Sequence, residues 1–487
     1  MEGLTENDAE MPAAARPAPA GIDPSFSSKE AIFAWLQSTL NLEGLPDYCD
    51  RVRRKRSPRR IRRTIKPVII EEPFFGSYYA LYPIRFKDGV RWILRVPICA
   101  VTGQFDELAS SALASEAETM TLICQETSVP VPRVMAYGPD FDNVLRVPFI
   151  LMTRIRGKPL HDIWFDKLIS REELMLRRKT ALRNIARLMV RLGKLSFKTG
   201  GALEFINGNL FRPGPLRTID HGVTLPPVGR TDGKTVRYFE AGPFAVRDDY
   251  YLVHLSREEN HEEPEFRGVQ KLLRTLLQWN SKEKGPKFVV THPNLSLRNI
   301  LISENERVMG FIDWNGVAAM PLSVGNEKYP SWLSRDWNPC KYEWNDDVGE
   351  GINPGEVQED SLEILELHHK KYSDFMQYYL ALREPSTPST RPSITHRSLI
   401  VENLIIAADN MECRHGILAK IFEEIVKISC AQCPSHSSAE GEEFGSLEMF
   451  QVVDILARGE MEESMSAFLK KGFNALLSSS EATSAEA

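Results

Sequence analysis

Residues 291–299 read THPNLSLRN and lie between two apolar runs. His292, Asn294 and Asn299 fall in this stretch, and Asp313 follows fourteen positions after Asn299. A histidine, a loop position two residues on, an asparagine five further and a distant aspartate suit phosphoryl transfer. A carboxylate at the second position would orient an acceptor hydroxyl and take its proton. An amide oxygen and a carboxylate oxygen are hard ligands, and magnesium needs few of them beside phosphates because it keeps several waters. Here the second position is Asn294, which can accept a hydrogen bond from the hydroxyl but cannot take its proton. General-base help is worth about 10²–10⁴ in rate. The metal side, Asn299 and Asp313, is complete, and His292 is read as a loop-holding residue.

The elements around these residues must hold them together. FVV leads as a strand into His292, NILIS opens a second strand at Asn299, and ENE turns the chain back into VMGFIDW. Thus His292, Asn294 and Asn299 share a loop, and Asp313 ends the hairpin that follows. Upstream, IKPVIIEEP, FFGSYYALYPIRF, GVRWILRVPI and VPFILMTRI are short β-branched or aromatic runs broken by Gly, Pro and Asp. One helix, DELASSALASEAETMTLICQET, follows the third run. Beyond RGKPL (156–160) apolar residues recur at helical spacing over 171–197, 262–280, 360–383, 397–428 and 446–475. The fold class is therefore α+β. We divide the chain into a disordered tail (1–24), a helix capped by Ser27 and Glu30 with a basic linker (25–66), a β-rich lobe (67–155), a helical lobe (156–478) and a short tail (479–487).

Composition sets outer bounds. The chain has 487 residues, 26% of them charged, and a net charge of −6 that gives no overall pull toward nucleic acid. The N-terminus is acidic and Pro/Ala-rich, unlike a signal peptide and too Arg-poor for a mitochondrial address. No run is apolar enough to span a membrane, and a cytoplasmic protein is expected. Residues 51–66 carry ten Lys or Arg. That run reads as a solvated linker, a nuclear import address or a contact for an acidic partner. Cys430 and Cys433 form a CxxC with Cys413, His415 and His436 nearby in sequence. A structural zinc site wants two well-spaced pairs, and Cys413-x-His415 is a poor one.

The segment 287–321 resembles the motif of the aminoglycoside phosphotransferase and choline kinase-like family, whose fold is that of protein kinases in outline. IDW in place of D-F-G, with no A-P-E after it, fits the small-molecule branch. The likeness extends to GVRWILRVP, SEAETM, TSVPVPRVMAYG, PFILMTRIRGKPL and GNEKYPSWLSRDWNP, and resembles fungal members over about residues 70–430. It implies a small nucleotide-side lobe, a larger acceptor-side lobe, and ATP with Mg²⁺ in the cleft. By position, Gly76 and Ser77 would turn over the phosphates and Arg95 would stand for the strand lysine. Glu116 would pair with Arg95, with Glu118 the alternative, and Thr153 to Ile155 would form the hinge that meets adenine. Arg is not an equivalent substitute for Lys at a phosphate site.

Two classes of function follow. One is an ATP-dependent phosphotransferase acting on a small, cationic or neutral hydroxyl compound. The other is a pseudokinase, a nucleotide-binding or empty scaffold that recognises a partner. Retained metal ligands favour nucleotide binding in either, while Asn294 opposes efficient catalysis.

Overall fold

The computed structural model describes residues 29–56, 67–76, 78–101, 105–207, 210–219, 238–255, 263–280, 288–345, 358–383, 394–431 and 444–478. Expectations placed on Ser27, on 57–66, on Ser77, on Cys433 and His436, and on the two tails fall outside these residues.

The N-terminal lobe is built on a twisted antiparallel sheet. Its strands are β1 (Pro67–Ile70), β2 (Phe74–Phe75), β3 (Tyr79–Phe86), β4 (Arg91–Pro97), β5 (Val134–Gly138) and β6 (Phe149–Thr153), in the order β1-β3-β4-β6-β5 with β2 on β3. The hairpin β3–β4 runs in register from Tyr79 opposite Pro97 to Arg85 opposite Arg91. Alternation in YALYPIRF and RWILRVP puts Tyr82, Ile84, Phe86, Trp92 and Leu94 on one buried face, the period-two pattern of a strand. Helix α3 (Glu107–Glu126) crosses the other face; the Asp106 side chain accepts from the Ala109 amide at 2.9 Å and caps its start.

Among the described residues two helices, not one, precede the sheet: α1 (Lys29–Thr39) and α2 (Leu45–Arg56). Residues 51–56 of the basic run are therefore the end of α2 rather than a linker. Val52 and Arg53 are buried, and Arg53 donates to Asp88 of the β3–β4 turn, Nη1 to Oδ1 at 3.0 Å. The run was read as solvated because its charge hides the apolar face of Leu45, Tyr48, Cys49 and Val52, which joins the core of the small lobe.

The second lobe is mainly helical. Gly157, at φ +136°, carries the chain between the lobes so closely over the strand 300–302 that a Cβ there would sit 2.6 Å from the Ile302 carbonyl oxygen. The next residues, Lys158–Pro159, pair with that strand. Helix 171–192 is capped by Ser170 and stops at Gly193, so the expected helix to 197 is cut short; Ser196 and Phe197 pair instead with the strand 288–291. The expected helix 397–428 is two, 394–409 and 411–431. Asn410 sits at the break, and its side chain accepts from the amides of Glu412 and Cys413. The expected helix 446–475 is also two, divided at Gly459, which takes φ +79°. Apolar spacing continues across both breaks, which is why periodicity alone merged them. The architecture is nonetheless the two-lobed, protein-kinase-like α+β fold expected.

Candidate active site

His292 is fully buried at the end of the strand 288–291. Its Nε2 lies 2.9 Å from the Ile312 carbonyl oxygen, and its Nδ1 accepts the Asn294 amide at 3.2 Å. Burial drives its pKa down to about 3, so the ring is neutral at physiological pH and the Nε2–H tautomer satisfies both bonds. Its ring also meets Trp314 edge to face at 4.5 Å. These contacts make it a brace between the loop and the segment leading to Asp313.

The same loop is closed from within. The Asn294 carbonyl accepts from the Ser296 amide at 3.0 Å and from Asn299 Nδ2 at 3.0 Å. This bond engages the Asn299 side-chain nitrogen, and the residue is half-buried. The Asn299 carbonyl accepts the Ile312 amide at 2.9 Å, which ties it to the residue just before Asp313. The Asn294 side chain itself is open to solvent.

Asp313 lies two residues beyond the strand 308–311 and takes φ +65°. That left-handed conformation is costly for a residue with a Cβ, and aspartate tolerates it better than most. The side chain reaches solvent, yet the protein around it raises its pKa above the ordinary carboxylate range, against the opposing pull of Arg95.

On the opposite lobe Arg95 and Glu116 are both buried, and Arg95 Nη2 donates to Glu116 Oε2 at 2.5 Å. Burial alone would lower the arginine's pKa, but Glu116 and Tyr79 reverse that and it stays charged. Glu118 meets Tyr137 instead, accepting from its hydroxyl at 2.6 Å. Residues two apart on a helix face different ways, so only one of the two glutamates can reach Arg95. Arg95 Nε and Glu116 Oε1 are buried without hydrogen-bond partners.

The remaining expected positions are less committed. Gly76 donates its amide to the Tyr79 carbonyl at 2.9 Å, and a Cβ there would touch only that oxygen, at 3.8 Å. Nothing in its surroundings requires glycine. The Thr153 and Arg154 amides go to the carbonyls of Arg133 and Arg91 at 2.9 and 3.0 Å. Those amides are taken by neighbouring strands, whereas Ile155 lies beyond the strand end.

Sequence reasoning missed two tyrosines. The Tyr79 ring lies 4.1 Å beneath the Arg95 guanidinium carbon. Tyr238 is hydrogen-bonded to Tyr79 and approaches Asn315 Oδ1 at 3.4 Å. Tyr238 stands in the strand 238–241, paired antiparallel with 216–219, which brings a helical-lobe segment onto the small lobe beside Arg95. The doubled tyrosine after Gly76 was the available signal for Tyr79; nothing local marked Tyr238.

The candidate site thus joins an antiparallel small lobe, a buried strand–helix ion pair, and a histidine-braced loop beside a hairpin aspartate, on a protein-kinase-like fold. Residues 84–323 match the model described as the phosphotransferase enzyme family, so this part of the chain is similar to that family. It is 29% identical over 175 residues to "Altered inheritance of mitochondria protein 9, mitochondrial" of Candida dubliniensis, covering 35% of this chain and 26% of that one. The corresponding protein of Meyerozyma guilliermondii is 31% identical over 130 residues, covering 27% and 20%. The chain thus spans about a quarter of the length of these curated relatives. Among solved structures, the macrolide 2'-phosphotransferase MphH of Brachybacterium faecium is 13% identical with TM-score 0.36, covering 78% of this chain and 97% of that one. An ethanolamine kinase of Plasmodium vivax is 13% identical with TM-score 0.36, covering 91% and 96%.

Among the described residues no group of three or more His, Cys, Asp or Glu is placed to hold a metal ion, and no helix is long and apolar enough to cross a membrane.

Proposed function

We propose that this chain binds Mg-ATP between its lobes and transfers phosphate to a small-molecule hydroxyl only slowly, because Asn294 occupies the base position. The observation that carries this reading is the bond from the Ile312 amide to the Asn299 carbonyl. It ties the backbone of Asn299 to the residue before Asp313, and among the described residues neither Asn299 Oδ1 nor the Asp313 carboxylate accepts a hydrogen bond from a protein donor. Two such oxygens suit magnesium beside phosphates. The unpartnered Arg95 Nε and Glu116 Oε1 support the fit on the other lobe, since buried polar atoms are normally satisfied.

ATP supplies the transferable phosphoryl group, and its magnesium neutralises the charge on it. The chain's own part is positional. Glu116 holds Arg95, His292 holds the loop, Asn299 and Asp313 present oxygens, and Asn294 accepts the acceptor's O–H without removing its proton. Ile155, past the last sheet amide, is the hinge position proposed to meet adenine, with Thr153 engaged in the sheet. Gly76 is assigned to the phosphate side.

The second reading, a scaffold without catalysis, is favoured by Tyr79. Its ring covers the guanidinium that the phosphates would need, and Tyr238 holds it there. The basic run 51–66 supports action in the nucleus or cytoplasm. The word mitochondrial in the yeast relatives' names supports the other compartment, and imaging of the tagged full chain separates them.

The test is nucleotide binding by the full chain with magnesium and with EDTA. Magnesium-dependent binding lost in Asp313→Ala supports the proposal; binding that ignores both magnesium and Asp313 overturns it and leaves the scaffold reading.

A further inference from the structure

At the turn end of the β3–β4 hairpin, an open cavity of about 660 Å³ is lined by Arg85, Phe86, Lys87, Gly89, Arg91 and Arg156. Four of the six are cations. Arg85 and Arg91 stand directly opposite each other across the hairpin, so their like charges share one face of the sheet and repel. The carboxylates that could relieve this are engaged elsewhere. Asp88, in the hairpin turn, is held by Arg53 through both oxygens. Glu71, on the neighbouring edge, pairs with Arg154 at 3.5 Å. Among the described residues none of the four lining cations has an ion-pair partner.

A cluster of repelling, uncompensated cations around a cavity is a site for an anion that carries several charges. We propose that this cavity binds a compact polyphosphate anion, at a place separate from the cleft. Planar, forked guanidinium groups match phosphate oxygens in pairs. The lining also argues against a single-stranded nucleic acid, which needs aromatic faces for its bases. The one aromatic residue there, Phe86, is 1% exposed, with Arg53 packed over its ring at 4.5 Å. Arg156 sits on the segment joining the lobes, next to Gly157. The Arg154 amide binds the Arg91 carbonyl. An anion held by Arg85, Arg91 and Arg156 would therefore clamp the hairpin to the interlobe segment.

The test is titration calorimetry of the full chain with tripolyphosphate, with orthophosphate as the low-charge comparison. Arg91→Gln with Arg156→Gln removes two exposed lining charges and is expected to weaken tripolyphosphate binding by about tenfold or more. Arg183→Gln with Arg187→Gln removes the same charge from the exposed side of helix 171–192 and should leave binding unchanged. Equal loss in the two double variants would reduce the effect to net charge and overturn the site. Unchanged binding in Arg91→Gln/Arg156→Gln would place the anion elsewhere, the cleft included, and also overturn it. A parallel titration uses phosphatidylcholine vesicles containing phosphatidylinositol bisphosphate. Loss confined to the vesicles assigns the cavity to a lipid headgroup, and loss with free tripolyphosphate assigns it to a soluble anion.

Discussion

Arg95 Nη2 and Glu116 Oε2 lie 2.5 Å apart in the interior of the small lobe, joining the central strand of its sheet to its one long helix. The pair is buried on both sides, so neither charge has water to fall back on. Removing one partner leaves the other stranded, at a cost of about 3–5 kcal/mol. Glu116→Ala is expected to lower unfolding stability by that order in a urea titration. Arg95→Met with Glu116→Leu removes both charges and should cost clearly less than Glu116→Ala alone. A double variant less stable than the single one would mean that the ion pair is not what the site depends on.

Asp313 tolerates a left-handed backbone that glycine would adopt freely. Asp313→Gly is therefore expected to keep or raise thermal stability, by up to about 1 kcal/mol, while losing magnesium-dependent nucleotide binding. That separation of folding from function identifies a residue held for its carboxylate. A fall in both together would assign Asp313 to structure.

Gly157 gives the opposite expectation. At φ +136°, with the Ile302 carbonyl oxygen 2.6 Å from any added Cβ, neither the backbone nor its neighbour has room to give. Gly157→Ala should destabilise by about 2–4 kcal/mol, measured as a lowered denaturation midpoint. A neutral outcome would mean that the interlobe segment shifts easily against the strand 300–302.

Asp336 provides a pH signature. Burial pushes its carboxyl from 3.8 up to about 7, against the favourable pull of Lys420. A carboxyl raised on folding binds its proton more tightly in the native state. Its contribution is thus complete below pH 3.8 and is lost as pH rises through about 7, by at most about 4 kcal/mol. Asp336→Asn should become progressively more stable relative to the native chain between pH 4 and 7, read as the difference in urea midpoint. A difference that stays flat across that range would contradict this.

What the sequence disclosed and withheld follows from the range of the interactions involved. The sheet, the long helix and the hairpin ending at Asp313 were legible because each rests on local alternation, a capping residue or turn chemistry. Arg95 and Glu116 could be paired only through a family resemblance, since their contact spans two elements. Residues 51–56 were misread because charge masked an apolar helical face. The helix breaks at Asn410 and Gly459 were missed because hydrophobic spacing runs through them. Tyr238 was invisible for a deeper reason: its place beside Tyr79 depends on how a helical-lobe insertion returns to the small lobe, and no local pattern encodes that.

In the proposed function Asn299 and Asp313 hold the metal and the base alone is missing at Asn294. The direct measurement is phosphate release from Mg-ATP by the native chain, by Asn294→Asp and by Asn294→Asp combined with Asp313→Ala. The account predicts turnover that rises by about 10²–10⁴ when the carboxylate is introduced and disappears again when Asp313 is removed. Native turnover that Asn294→Asp leaves unchanged, or a gain that survives Asp313→Ala, would contradict it.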